Sequence, residues 1–250
     1  MKIWAIASRE LFAQLTTVRG WLILTGYLFL SGFFWTAMVS MYAMQSQEAV
    51  MSPYMTAQVN LTDYLVAPFF GNTAIIFLMI APALSMRLFA SEQKDRTLEL
   101  LMTSPISTTE IVLGKFLGAV SFVVLMLACT AHYPLLLMQW ASPDPGAFAT
   151  AYLGTLLLAS ALIAMGMLFS AFTENQVVAF VLTMAAGLVL WVFSWMGAEA
   201  DSWPAQVAIV THAQDLFRGV VRLSDLVYFA VFIGFFLFAT HQRVEAYRWS

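Results

Sequence analysis

Residues 69–115 read FFGNTAIIFLMIAPALSMRLFASEQKDRTLELLMTSPISTTEIVLGK, and the fold turns on how this stretch divides. Its first part, Phe69–Phe89, is long and apolar enough to cross a hydrocarbon core of about 30 Å, which takes about 20 residues at about 1.5 Å each. Arg87–Lys115 is the densest polar stretch of the chain, and a second apolar run begins at Ile111. Within the polar stretch, Thr97 can cap a short helix through its hydroxyl, with Glu99 in the first turn where the helix dipole favours an anion. Leu98, Leu101 and Met102 give that helix an apolar face, and Pro105 stops it. Ser107-Thr-Thr-Glu110 then fits a capping box opening the helix that enters the next span. The stretch therefore predicts a span, a short surface helix, a break and another span.

Outward from this unit the pattern repeats. Six apolar segments qualify as spans: Trp21–Met44, Phe69–Phe89, Ile111–Trp140, Ala149–Phe172, Val177–Gly197 and Leu226–Thr240. Pro134 should kink the third near its outer end. The composition agrees, with 61% hydrophobic and 10% charged residues and mean hydropathy +0.82. Soluble domains run at about 45–50% apolar and about 25% charged, so a water-soluble globular domain is excluded. The fold class expected is an all-α integral membrane protein, one transmembrane domain over 1–250. The N-terminus lacks the early apolar stretch and small-residue cleavage site of a signal peptide, so the first span is expected to be retained.

Lys and Arg orient the spans. With the N-terminus inside, nine of the eleven fall on the inner side and only Arg218 and Arg222 on the outer, which places both termini in the cytoplasm. Two further segments lie outside the spans. Over 1–19, Trp4, Ala7, Leu11, Leu15 and Val18 recur at helical spacing, predicting an amphipathic helix along the inner membrane surface or an extension of span one. Over 204–223, Ile209, Ala213, Leu216, Val220 and Leu223 form one stripe. Pro204 stands at its start, predicting an outer or re-entrant helix before span six.

The run Glu92…Thr97-Leu98-Glu99-Leu100-Leu101…Ser104-Pro105…Ile111-Val112-Leu113-Gly114-Lys115 resembles the signature of type-2 ABC exporter permeases. In size and motif the chain is most similar to the gliding-motility and nitrous-oxide-reductase-maturation permeases. The resemblance implies that 90–106 is a coupling helix docking on a separate ABC ATPase, which would hold the ATP and Mg. On that basis Leu98, Leu100, Leu101 and Met102 are docking residues, with Glu92 and Glu99 as polar contacts. It further implies a second copy of the chain, a bacterial inner membrane, and a second ATPase contact at Thr173–Gln176 that includes Glu174. That loop reads equally as a plain capped turn. Family members commonly carry Gly where this chain has Arg96, so the turn into the helix is expected to differ, with Arg96 and Thr97 counted among the coupling residues and the basic side chain set against an acidic ATPase groove or lipid phosphates.

Small residues Ala179, Thr183 and Gly187 in span five, and Ser160/Ala164 and Gly166/Ser170 in span four, suit close helix approach. The contact is either between copies or within one subunit. His132 in span three is a candidate for lining a substrate path, against the ordinary alternative of an interhelical hydrogen bond. His132, His212 and His241 are too scattered for a metal site, and Cys129, alone, reads as a core residue. Gly114-Lys115 does not end a phosphate loop, because Thr109 stands where that loop needs Gly. No cofactor, catalytic cluster or nucleic-acid partner is expected for this chain. The leading expectation is the membrane subunit of an ATP-driven exporter. The alternative is a membrane anchor or mechanical transmitter, with 45–67 and 198–224 as surfaces for an outer accessory protein.

Overall fold

The computed structural model describes residues 2–51, 60–97, 106–139, 141, 143–196 and 206–247. Every regular element among them is helical, with no strand. The order is α1 (Lys2–Thr16), α2 (Val18–Met51), a π-helical turn (Thr62–Val66), α3 (Ala67–Ser85), α4 (Ala90–Lys94) and α5 (Thr108–Thr130). It continues with α6 (His132–Leu137), α7 (Pro145–Phe172), α8 (Gln176–Met196), α9 (Ile209–Phe217) and α10 (Leu223–Tyr247). Six helical segments are long and apolar enough to cross a membrane, in α2, α3–α4, α5–α6, α7, α8 and α10.

Helix α7 is the axis of the bundle, packed against α3, α5, α8, α9 and α10. It takes that place because it presents small residues on several faces: Ala151, Gly154, Ala159, Ala161, Ala164 and Ser170 are all buried. In lipid, association rests on close packing rather than on hydrophobicity, so the helix with the smallest side chains gathers neighbours. A Cβ on Gly154 would stand 2.8 Å from Leu216 Cβ, which brings α9 directly onto α7.

The break in span three comes where proline chemistry demands it. Pro134 has no N–H for the carbonyl four residues earlier, that of Thr130, and its ring crowds that carbonyl. Helix α5 ends at Thr130, and α6 restarts at His132. The freed Thr130 carbonyl accepts from the Tyr152 hydroxyl at 2.9 Å instead.

Several sequence expectations are corrected. Spans one and six run as far as Val18–Met51 and Leu223–Tyr247, because the polar ends of these helices continue the helix beyond the apolar core. The stripe expected in α1 is not among these: α1 packs on α5 through Ile3, Ile6, Ala7 and Glu10, and Trp4 and Val18 are 72% and 82% exposed, as side chains facing a membrane surface are. Of the stripe over 204–223, Ile209, Ala213 and Leu216 are buried, but Val220 and Leu223 are exposed. The helix stops short of them because Gly219, at φ +85°, closes its C-terminus. Val220 N–H donates to Asp215 O at 2.9 Å, and Gly219 N–H to Leu216 O at 3.2 Å, a Schellman closure. Leu98, Glu99, Leu100, Leu101, Met102, Pro105 and Pro204 lie outside the described residues.

Candidate functional site

The polar connection between α3 and α5 is held by buried side chains at one end of the bundle. Ser170, fully buried on α7, organises the turn 86–90 with one hydroxyl. It accepts from the N–H groups of Phe89 and Ala90 at 3.1 and 3.0 Å and donates to Met86 O at 2.9 Å. One turn on, Gln93 Nε2 donates to Ala171 O at 3.0 Å. Four backbone groups with no helical partner are thereby satisfied, as buried polar groups require.

Glu92 is the charged anchor. Its Oε1 lies 2.6 Å from Lys115 Nζ, with the two side chains only 18% and 5% exposed. Lys115 Nζ also sits 5.3 Å from the centroid of the Phe89 ring. Two charges out of water are tolerable only as a pair with good geometry, and removing one partner leaves an uncompensated buried charge. The pair fastens α4 to α5 across the polar connection.

On the far side of the connection, the expected capping box is present. Ser107 N–H donates to Glu110 Oε2 at 2.9 Å, and Glu110 N–H to Ser107 Oγ at 3.2 Å. The neighbouring Thr108 hydroxyl donates to Glu245 Oε2, tying the start of α5 to the end of α10. The residues flanking 98–105 are thus joined to α5, α7 and α10.

Arg96, where a turn of a different kind was expected, has φ +54°. The chain makes the left-handed turn with an arginine, since its neighbours Glu92 and Gln93 are fixed. Thr97 Oγ1 lies 3.5 Å from Glu92 O, at the outer limit of a hydrogen bond. In the second connection, Thr173 accepts from Asn175 N–H at 3.1 Å, and Asn175 Oδ1 accepts from Val177 N–H at 2.9 Å. Asn175 therefore caps α8, and Glu174 projects exposed between the two.

Ala179, Thr183 and Gly187 are buried within the chain itself. A Cβ on Gly166 would meet Ser85 Oγ at 2.0 Å and Thr183 Cγ2 at 2.8 Å, and one on Gly187 would meet Leu78 Cδ1 at 2.8 Å. His132 is exposed, its Nδ1 2.8 Å from Cys129 O and its ring 4.2 Å from that of Tyr133. Among the described residues no three His, Cys, Asp or Glu side chains converge as metal ligands.

Sequence reasoning missed three contacts: the Ser170 hub, the Glu92–Lys115 pair, and a second buried pair at the opposite end. There His212 Nδ1 lies 2.7 Å from Asp225 Oδ1, and its Nε2 lies 3.1 Å from Gln206 O. Only the Gly166/Ser170 spacing on α7 had marked Ser170, and then as a packing residue.

The family profile described as ABC-2 family transporter protein matches residues 4–227. No curated protein matches the chain.

Proposed function

The chain belongs to the ABC-2 family transporter proteins and is the membrane-spanning subunit of an ABC transporter, and from that premise we propose that it serves an exporter whose ATPase docks on 90–106. Two copies form the pathway, and two separate ATPases bind ATP and Mg beneath them. Size and motif align it with the gliding-motility and nitrous-oxide-reductase-maturation kinds of permease. The inner leaflet side is the side of 90–106, with both termini there, as the Lys and Arg distribution argues.

One observation carries the mechanism: the residues on either side of 98–105 are fastened to three different spans. Ser170 and Ala171 hold the 86–93 flank to α7, Lys115 holds Glu92 to α5, and Glu245 holds Thr108 to α10. A push on the docking residues Leu98, Leu100, Leu101 and Met102 is then passed to the spans as a rigid-body displacement rather than absorbed by a loose loop. Glu92 acts in this scheme as a brace, since its charge is met by Lys115. Glu99 remains the polar contact for the ATPase, and Glu174 supplies the smaller second one.

Co-purification in detergent with the cognate ABC ATPase tests the assignment. Wild type is expected to retain the ATPase and Leu101→Asp to lose it, because a carboxylate in an apolar docking groove has no partner. Retention by the mutant would remove 90–106 from the coupling role.

A further inference from the structure

At the end of the bundle opposite 90–106, the π-helical turn, α3, α8 and α9 line an open cleft of about 690 Å³. Its size is that of a site for a small organic molecule. The lining is divided. Asp63, Asn72, Gln214 and Arg218 supply polar groups, and Ile75 and Trp191 continue the wall as an apolar surface. Ile75 lies about two turns into α3 from Ala67, so the apolar part reaches down into the span while Asp63 marks its outer rim.

The charges in this cavity are not used by the protein on each other. Asp63 receives one hydrogen bond, from Asn60 Nδ2 at 3.2 Å, and among the described residues it forms no ion pair. Arg218 likewise has none, whereas its neighbour Arg222 pairs with Asp215 at 2.8 Å. A carboxylate and a guanidinium, both exposed, therefore line one cleft without pairing, each with hydrogen-bonding capacity open to a ligand. A ligand that carries both an anionic group and an ammonium group matches the two at once. The fork of Arg218 suits a phosphate, and Asp63 accepts from the ammonium.

We propose that this cavity binds a zwitterionic phospholipid-type amphiphile, with its phosphate on Arg218, its ammonium on Asp63 and its acyl chain along Ile75 and Trp191. The apolar wall argues for a lipid over a free zwitterion, because a headgroup alone would leave that surface in contact with water. The site rests on the exporter reading only in one respect: there the bound amphiphile is cargo.

Gly71 gives the test its cleanest variant, since it lines the cavity and an added Cβ meets nothing within 4 Å. Gly71→Leu starts its side chain into open space, and its melting temperature reports whether the fold is kept. The full chain in detergent, with no ATPase present, is titrated with dioctanoyl-phosphatidylethanolamine, dioctanoyl-phosphatidylglycerol and O-phosphoethanolamine, and bound species are counted by native mass spectrometry. Phosphatidylethanolamine is expected to bind about tenfold or more tightly than the other two, and Gly71→Leu, Arg218→Gln and Asp63→Asn each to weaken it about tenfold. Equal binding of the two lipids, equal binding of free phosphoethanolamine, or a Gly71→Leu protein that binds as wild type would overturn the site. Because the ATPase is absent, such a failure leaves the docking of 90–106 to be decided by Leu101→Asp alone.

Discussion

At the scale of single residues, Arg96 shows where the chain holds local strain. A non-glycine residue in the left-handed region costs about 1–2 kcal/mol, and Arg96 sits there at φ +54°. The cost is sustained because the residues leading into the turn are fixed: Glu92 by Lys115 and Gln93 by the Ala171 carbonyl. The Gly typical of the resembled signature would take the same turn freely. Arg96→Gly removes the strain but adds chain entropy to the unfolded state, about 0.5–1 kcal/mol. The net expectation is a gain of up to about 1 kcal/mol, read as a raised melting temperature of the detergent-solubilised protein. ATPase binding should not change. A lower melting temperature, or loss of the ATPase, would instead give the exposed guanidinium a contact of its own.

At the scale of elements, the short connections were more legible than the helix faces. The capping box at Ser107–Glu110 and the break before Pro134 follow from side chains that act on their own backbone, so the sequence alone predicts them. Which face of α1 packs does not follow in that way. Both lipid and protein accept an apolar side chain, and the stripe Trp4–Val18 reads equally well against either. The contact was decided by α5, where Gly114 and Gly118 open a groove. A Cβ on Gly114 would stand 2.7 Å from Ile6 Cβ, and one on Gly118 would stand 2.6 Å from Glu10 Cβ and 2.9 Å from Ala7 O. Gly118→Leu is therefore expected to push α1 off α5, at an overpacking cost of about 1–3 kcal/mol. With exposed Cys129 replaced by Ser, a single cysteine at the buried Ala7 position reports the change. It should resist maleimide with Gly118 present and react in the Gly118→Leu protein, and equal labelling of both would show that the groove does not seat α1.

At the scale of the whole molecule, solvent and span number follow from composition and segment length, whereas the cavity of Asp63 and Arg218 does not, because only the tertiary fold brings α3, α8 and α9 together. The same distinction governs α8. Spacing alone left Ala179, Thr183 and Gly187 as a contact either between copies or within one subunit. In the folded chain that face is filled by Leu78, Leu162, Ser85 and Gly166 from α3 and α7. A second copy joining through α8 must then use the opposite face, where Val177, Val181, Leu188 and Val192 form an exposed apolar stripe at helical spacing. Cysteines distinguish the two faces, again with Cys129 replaced by Ser. Val181→Cys and Leu188→Cys are expected to form cross-linked dimers in membranes under mild oxidation, since equivalent positions near a two-fold axis approach each other. Thr183→Cys, enclosed by its own subunit, is expected to stay monomeric under the same treatment. Cross-linking through Thr183→Cys, or through none of the three, would remove the exposed stripe of α8 from the contact between copies.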